Sequence, residues 1–292
     1  MTAGPVVVLV LSHRDPPLVH RLVSRLTAGS NTAVVVHHDP TGPALQLPRS
    51  DAVLQMPSPQ HSEWGRMTLA LSVVNGLRFA ITHIPELSWV LVISGQDYPT
   101  RSMTDIENDL AGSTKDAYLR YFRVDAQAGN DVHPWQQLTR RRYLHKIRLP
   151  GTHRSVPFPR RHPFNGHPAN AKNLSLFVGD QWVNLGSAAV HHVLDQQQRL
   201  PQVERYFGRC SIPDEGFLPT LLLNNAEHLR VEDDRRRYIP WTKGQRHPPL
   251  LSIDDVDKAA AGTDLFARKV DSERTPDVLD RFDRLAGGSG LA

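Results

Sequence analysis

The stretch "PVVVLVLSHRDPPLVHRLVSRLTAGSNTAVVVHHDP", residues 5–40, decides the fold. Residues 6–11 are apolar without a break, bounded by Pro5 and by Ser12, His13, Arg14 and Asp15. A continuous run predicts a strand buried on both faces, as in a parallel sheet. Residues 16–26 then carry Leu18, Val19, Leu22 and Leu26 at helical spacing and stop near Gly29. Residues 33–36 form a second buried run that ends in two histidines and an aspartate. The pattern is strand, helix, strand: a βαβ unit with an expected right-handed crossover.

The same reading extends outward. Residues 67–82 have helical periodicity, and 88–94 ("SWVLVIS") read as a third buried strand with "GQDYP" (95–99) as its exit turn. Residues 116–124 read as one further strand, and 174–194 as a strand, a turn and a helix that begins near Ser187. A helix entered at "PDEGF" is expected to continue through "LLLNNAEHLR" (221–230), and 235–241 to form a short strand. This is an α/β, Rossmann-like sheet flanked by helices. In such sheets ligands bind beyond the carboxyl ends of the strands. Three polar clusters fall there: Ser12–His13–Arg14, His37–His38–Asp39 and Ser94–Gly95–Gln96–Asp97.

Composition is that of a soluble globular protein: 292 residues, 39% hydrophobic and 22% charged. The formal net charge of +4 is too modest to argue for nucleic acid, yet it suits an anionic small ligand. The single cysteine, Cys210, cannot form an internal disulfide. The apolar N-terminal run has no basic flank and is too short to span a bilayer, so a cytoplasmic protein without a membrane span is expected. Residues 140–172 are rich in Arg, Lys, His and Pro and contain no Asp or Glu. They read as a basic, irregular insertion, and residues 286–292 as a disordered tail.

Several chemistries are poorly supported. No G-x-G-x-x-G follows the first strand and no P-loop motif occurs; Pro16 and Pro17 would block a phosphate cradle in the first turn. Adjacent histidines on an extended chain point opposite ways, so at most one of His37 and His38 faces a given site. The Asp255/Asp257 pair fits a helix start better than a metal site, and no resident metal is expected. Cys210 lacks the surroundings of a nucleophile. What is left is carboxylates with basic groups, a set suited to moving a group from a diphosphate donor to a hydroxyl. In "IPDEGF" (212–217), Asp214 and Glu215 stand side by side before an apolar helix. Their local pattern reads as helix capping.

Taken in order, "VLSHRDPPLVHRLVSRL", "VVVHHDP", "EWGRMTLA", "WVLVISGQDYPTRS", "GDQWVNLGSAAVHHVL", "PDEGFLPTLLLNN", "RYIPWTKGQRHP" and "LFARKVD" resemble the core-2/I-branching enzyme family. That family, glycosyltransferase family 14, includes β-1,6-N-acetylglucosaminyltransferases and peptide O-xylosyltransferases. The resemblance runs from residue 7 to about 271. It implies a GT-A-like fold in one catalytic domain (1–285) and an inverting, metal-independent transfer from a UDP-sugar, with GlcNAc first and xylose second as the sugar. No cofactor is implied. It makes Glu215 the general base, with Asp214 orienting its loop on the acceptor side. Lys269 meets the diphosphate with Arg268 as helper, and either Arg246 or Lys243 adds a second basic contact. Trp241 matches an aromatic that packs on acceptor sugar. Gln96 and Asp97 fall in the donor-side loop, with Ser12, His13 and Asp39 near the nucleoside. The lack of an anchor, stem and disulfides favours a bacterial member acting on a small-molecule, glycan or lipid-linked acceptor, with 140–172 as the acceptor rim. Two other readings stand beside it: a catalytically silent sugar-nucleotide or glycan-binding protein on the same fold, and an RNA- or DNA-binding protein using 140–172.

Overall fold

The structure, a computed structural model, describes residues 4–29, 31–48, 50–124, 134–149, 151–152, 154–157, 174–241 and 247–286. In chain order the elements begin with β1 (Val6–Ser12), α1 (Pro16–Leu26), β2 (Thr32–His38), β3 (Val53–Gln55), α2 (Met67–His83), β4 (Trp89–Ser94) and β5 (Asp97–Pro99). Next come α3 (Met103–Ala111), β6 (Ala117–Leu119), β7 (Tyr121–Arg123), α4 (Pro134–His145), β8 (Lys146–Arg148) and β9 (Ser155–Pro157). Then follow β10 (Phe177–Gly179), β11 (Asn184–Gly186), α5 (Ser187–Arg199), α6 (Pro201–Phe207), a 3-10 turn at Pro213–Glu215 and α7 (Phe217–Leu223). The last are β12 (Val231–Asp233), β13 (Arg237–Tyr238), α8 (Ile253–Ala261), β14 (Phe266–Arg268) and α9 (Pro276–Leu285).

Seven strands form a mixed sheet in the order β12-β6-β11-β4-β1-β2-β3. The expected βαβ unit is its centre: β1 runs parallel to both β2 and β4, from Val6 beside Thr32 and Trp89. β11 is antiparallel to β4 and β6. All seven residues of β1 are buried, and they alternate between two cores. Val7 and Leu9 face the core made with α2, α5, α6 and α7. Val6, Val8 and Val10 face the core made with α1, α3, α8 and α9. A strand covered on both faces needs no polar alternation, which is why its sequence is an unbroken apolar run. α2 lies so close to β1 that a Cβ on Gly76 would stand 2.5 Å from a Leu9 methyl carbon.

Helix starts follow local chemistry. Asp15 caps α1, accepting the Leu18 N–H at 3.1 Å, and Pro16 and Pro17 fill positions whose N–H groups have no helical partner. Ser252 and Asp255 form a reciprocal capping box on α8, so Asp255 is a helix-start residue as its sequence suggested.

Three expectations are corrected. Residues 116–124 are two strands, not one: β6 joins the large sheet and β7 pairs with β10. The helix entered after "PDEGF" stops at Leu223. Asn224 is extended, and its side chain donates to Thr220 O at 2.7 Å and Ser175 O at 2.8 Å while accepting from Ser175 N at 2.9 Å. Those bonds give its amide better partners than a further helical turn would. The insertion is regular at its start, where α4 leads into the β8–β9 hairpin. Residues 158–173, and the tail beyond Ala286, lie outside the described residues.

Candidate active site

The carboxyl ends of β1, β2 and β4 open into a cleft of about 400 Å³. All three polar clusters reach its wall, through Ser12, His13 and Arg14, through His37 and Asp39, and through Ser94, Gly95 and Gln96. The exits of β1 and β4 approach so closely that a Cβ at Gly95 would stand 2.9 Å from Ser12 Cβ. His37 faces the cleft, whereas His38 turns away: its Nδ1 meets Ser12 Oγ at 2.8 Å and its Nε2 meets Pro43 O at 2.7 Å. Alternation along β2 therefore separates the two rings as expected. Asp39 is buried. Burial alone would raise its pKa, but hydrogen bonds from Ser62 N, Thr41 and His61 outweigh that and hold it well below the usual carboxylate range.

The opposite wall is built around Asp97. Both Asp97 and Arg237 are 0% exposed, and they pair at 3.2 Å. Asp97 also accepts Ser94 N at 2.6 Å and Arg268 Nη1 at 3.0 Å. Arg268 donates to Ser94 Oγ as well, and its guanidinium lies 4.8 Å from the Trp182 ring centre, with Arg237 5.2 Å from the same ring. Asp97 is thus a buried anchor beneath the cleft and not part of its wall, a correction to its expected place at the donor: Oδ1 is taken up by Arg268, and Oδ2 by Arg237 and Ser94 N. Burial pushes the Arg237 guanidinium down to about 10, against the pull of Asp97. Gln96 does reach the wall, with its Nε2 3.4 Å from Val270 O.

Arg268 lies on the cleft wall and Lys269 follows it. Lys269 is half-buried and forms no side-chain hydrogen bond or ion pair with the described residues. Burial lowers its pKa, and the neighbouring charges of Arg268 and Arg14 lower it further. Arg14 is itself held by Asp271 at 2.9 Å. A lysine crowded by two arginines is a place for an anion. Lys243 and Arg246 lie outside the described residues.

Asp214 and Glu215 reach the cleft from the 3-10 turn. Ile212, just before it, has a left-handed backbone (φ 56°), which a β-branched side chain resists. The strain is held from two sides: Tyr143 of α4 donates its hydroxyl to Ile212 O, and Ile212 N donates to Gly65 O at 3.3 Å. Asp214 does not cap a helix, as its local pattern had suggested. It sits inside the turn, buried, with Oδ1 unpartnered among the described residues, and burial raises its pKa to about 6. Glu215 is raised to about 7 by burial, with Arg142 opposing and Asp214 and Asp180 adding. Arg142 Nη1 donates to Glu215 Oε2 at 2.9 Å.

Trp64 (64% exposed) and Trp241 (47% exposed) stand at the rim, with His247 edge-on to Trp64 at 6.3 Å. Gln181, deeper in, has a buried Nε2 with no partner among the described residues. A larger depression of about 750 Å³ lies at the other end of the strands. Its charged residues are engaged, Lys115 with Glu232, Arg230 with Asp116 and Glu107 with Thr32, whereas the cleft holds buried polar atoms without a partner among the described residues. The cleft is therefore the better candidate. Among the described residues, no three His, Cys, Asp or Glu side chains are grouped to hold a metal ion.

The family model for the core-2/I-branching enzyme matches residues 8–260. The chain belongs to the core-2/I-branching enzyme family. It is accordingly a glycosyltransferase, and its mixed sheet with helices on both faces agrees with the GT-A-like architecture of the resemblance. No curated protein matches the chain. The family match ends before β14, so Arg268 is placed at the cleft by geometry alone, through Asp97 and Ser94. No helix among the described residues is long and apolar enough to cross a membrane. Arg142, Trp182 and Arg237 were given no role by the sequence, and Arg14 only a place in the first polar cluster. Trp182 and Arg237 each lay inside a quoted motif, but their pairing needs partners far away in the chain.

Proposed function

We propose that this glycosyltransferase moves a sugar from a UDP-sugar to an acceptor hydroxyl, with inversion and without a metal. Glu215 Oε1, which has no hydrogen-bond partner among the described residues, takes the acceptor proton. The acceptor oxygen bonds to C1 of the sugar as the bond from C1 to the diphosphate breaks, and UDP leaves. Arg268, with Lys269 and Arg14 beside it, stabilises the negative charge on the departing diphosphate. Asp97 supports the metal-free reading because its carboxylate is neutralised by two guanidinium groups. Trp64 and Trp241 offer apolar faces to the acceptor at the rim.

The observation that carries this reading is the meeting, in one cleft, of a half-buried carboxylate raised to about 7 and an anchored arginine. A base whose pKa lies near the working pH is suited to proton abstraction. The test is a screen of UDP-sugars, UDP-N-acetylglucosamine and UDP-xylose first, by calorimetry in EDTA on wild type and Lys269→Ala. One donor should bind the wild type and bind the variant far more weakly. Binding that requires Mn²⁺ or Mg²⁺ would overturn the metal-free mechanism.

A further inference from the structure

The 3-10 turn at Pro213–Glu215 is gripped by two consecutive residues of α4. Tyr143 holds the carbonyl of Ile212 at the entrance of the turn, and Arg142 holds the carboxylate at its exit. A glutamate has two equivalent oxygens and three side-chain torsions, so a carboxylate left alone at the end of a turn would sample several rotamers. Here only Oε2 is engaged, at 2.9 Å by Arg142 Nη1. The pair is largely shielded, with side chains 20% and 31% exposed.

We propose that Arg142 is a positioning residue for the transfer: by holding Oε2 of Glu215 it fixes the carboxylate and leaves Oε1 to receive the acceptor proton. This rests on Glu215 being the base. The charge of Arg142 has a second effect. Asp214 in the same turn and Asp180 before β11 both push the Glu215 proton on, and burial pushes the same way. α7 carries no ionisable residue, and the Arg78 of α2 is turned to Asn75 and Gln197. Tyr143, buried beside the turn, stays protonated, its pKa raised by burial and by Glu215. Arg142 is therefore the cation that most strongly opposes protonation of the base at the turn. Too little charge would leave Glu215 protonated at neutral pH, and a fully engaged pair would leave no oxygen free. A single hydrogen bond to one oxygen satisfies both demands.

The test is a titration of glutamate side-chain carboxyls by ¹³C NMR on selectively labelled protein, with Glu215→Gln assigning the Glu215 signal. Wild type should titrate with a midpoint near 7. In Arg142→Gln and Arg142→Met the midpoint should rise by about one unit, the effect of losing an adjacent opposite charge, and Arg142→Lys should restore part of the difference. A midpoint in the neutral variants equal to or below that of wild type overturns the proposal. Failure of both neutral variants to fold also overturns it, because the side chain would then be structural. The titration reads Glu215 directly, so it stands apart from the function: full sugar transfer by Glu215→Gln would sink the base while leaving the measured midpoints intact.

Discussion

Asp97→Asn should cost more stability than any change at the cleft rim. The substitution keeps the shape of the side chain and removes its charge. Arg237, 0% exposed, then keeps a guanidinium with no anion, and its Nε already lacks a partner among the described residues. Burial holds Arg237 at about 10 with Asp97 present, so at neutral pH it remains charged after the pair is broken unless it is pushed down by several further units. Removing one member of a buried ion pair costs about 3–5 kcal/mol. Against a total stability of roughly 5–15 kcal/mol that is a large share. At roughly 2–4 °C per kcal/mol for a chain of this size, the melting temperature should fall by roughly 6–20 °C. Thermal unfolding followed by circular dichroism measures this, and urea unfolding gives the free energy directly. The double variant Asp97→Asn/Arg237→Met places an apolar chain of similar length in the slot and should regain most of the loss, since a buried pair is often replaceable by hydrophobic packing. Donor binding should stay weak in both variants, because Arg268 has lost its anchor at 3.0 Å in each. A melting shift below about 2 °C in the single variant, equivalent to less than 1 kcal/mol, would refute the reasoning.

Other outcomes follow from the same geometry. Glu215→Gln should slow transfer by roughly 100–10,000-fold while leaving donor affinity unchanged in calorimetry. In the wild type the rate should climb as pH rises through about 7, since a base works only once deprotonated. Asp214 has a folded pKa of about 6 against 3.8 for the free group, so the folded state binds the proton more tightly and stability falls as pH rises between those values. Asp214→Asn lacks that loss, and its stability relative to wild type should improve by on the order of 2–3 kcal/mol across the window, read by urea unfolding at a series of pH values. Gly76→Ala should cost about 1–3 kcal/mol by driving α2 off β1, again measured by urea unfolding, because its new methyl would lie 2.5 Å from Leu9 Cδ2.

The centre of the fold could be read from residues 5–40 because every constraint there is local: apolar runs fix β1 and β2, and Asp15, Pro16 and Pro17 fix the start of α1. Three polar clusters could be placed in one cleft because parallel strands deliver their exits to one edge. The errors came where a distant partner decides. Asn224 ends α7 by bonding Ser175, 49 residues away. Residues 116–124 divide because β7 finds β10. Asp214 looked like a cap because acids before apolar helices usually are, yet the chain winds a 3-10 turn there and buries it. Asp97 looked like a ligand contact because it follows a strand, but the two arginines that claim it lie 140 and 171 residues further on. Glu215 and Lys269 were singled out by family resemblance and enter the proposed site on that ground, whereas Arg142, in a stretch with few family landmarks, became visible only through its bond to Glu215.

The pairing of β14 with β5 has a consequence for how the molecule is made. β1, β2 and β4 are all synthesised within the first hundred residues, and the parallel core can begin to assemble as they emerge. Arg268 arrives 171 residues after the Asp97 it clasps, and α9 closes the second core later still. Until Arg237 emerges, 140 residues after Asp97, the anionic anchor has neither of its two arginines, and for much of that time the sheet still lacks β11 and β12. The ribosome thus delivers the scaffold early and the proposed diphosphate clamp near the finish, so a chain stalled before β14 would hold most of the architecture and lack Arg268 and Lys269.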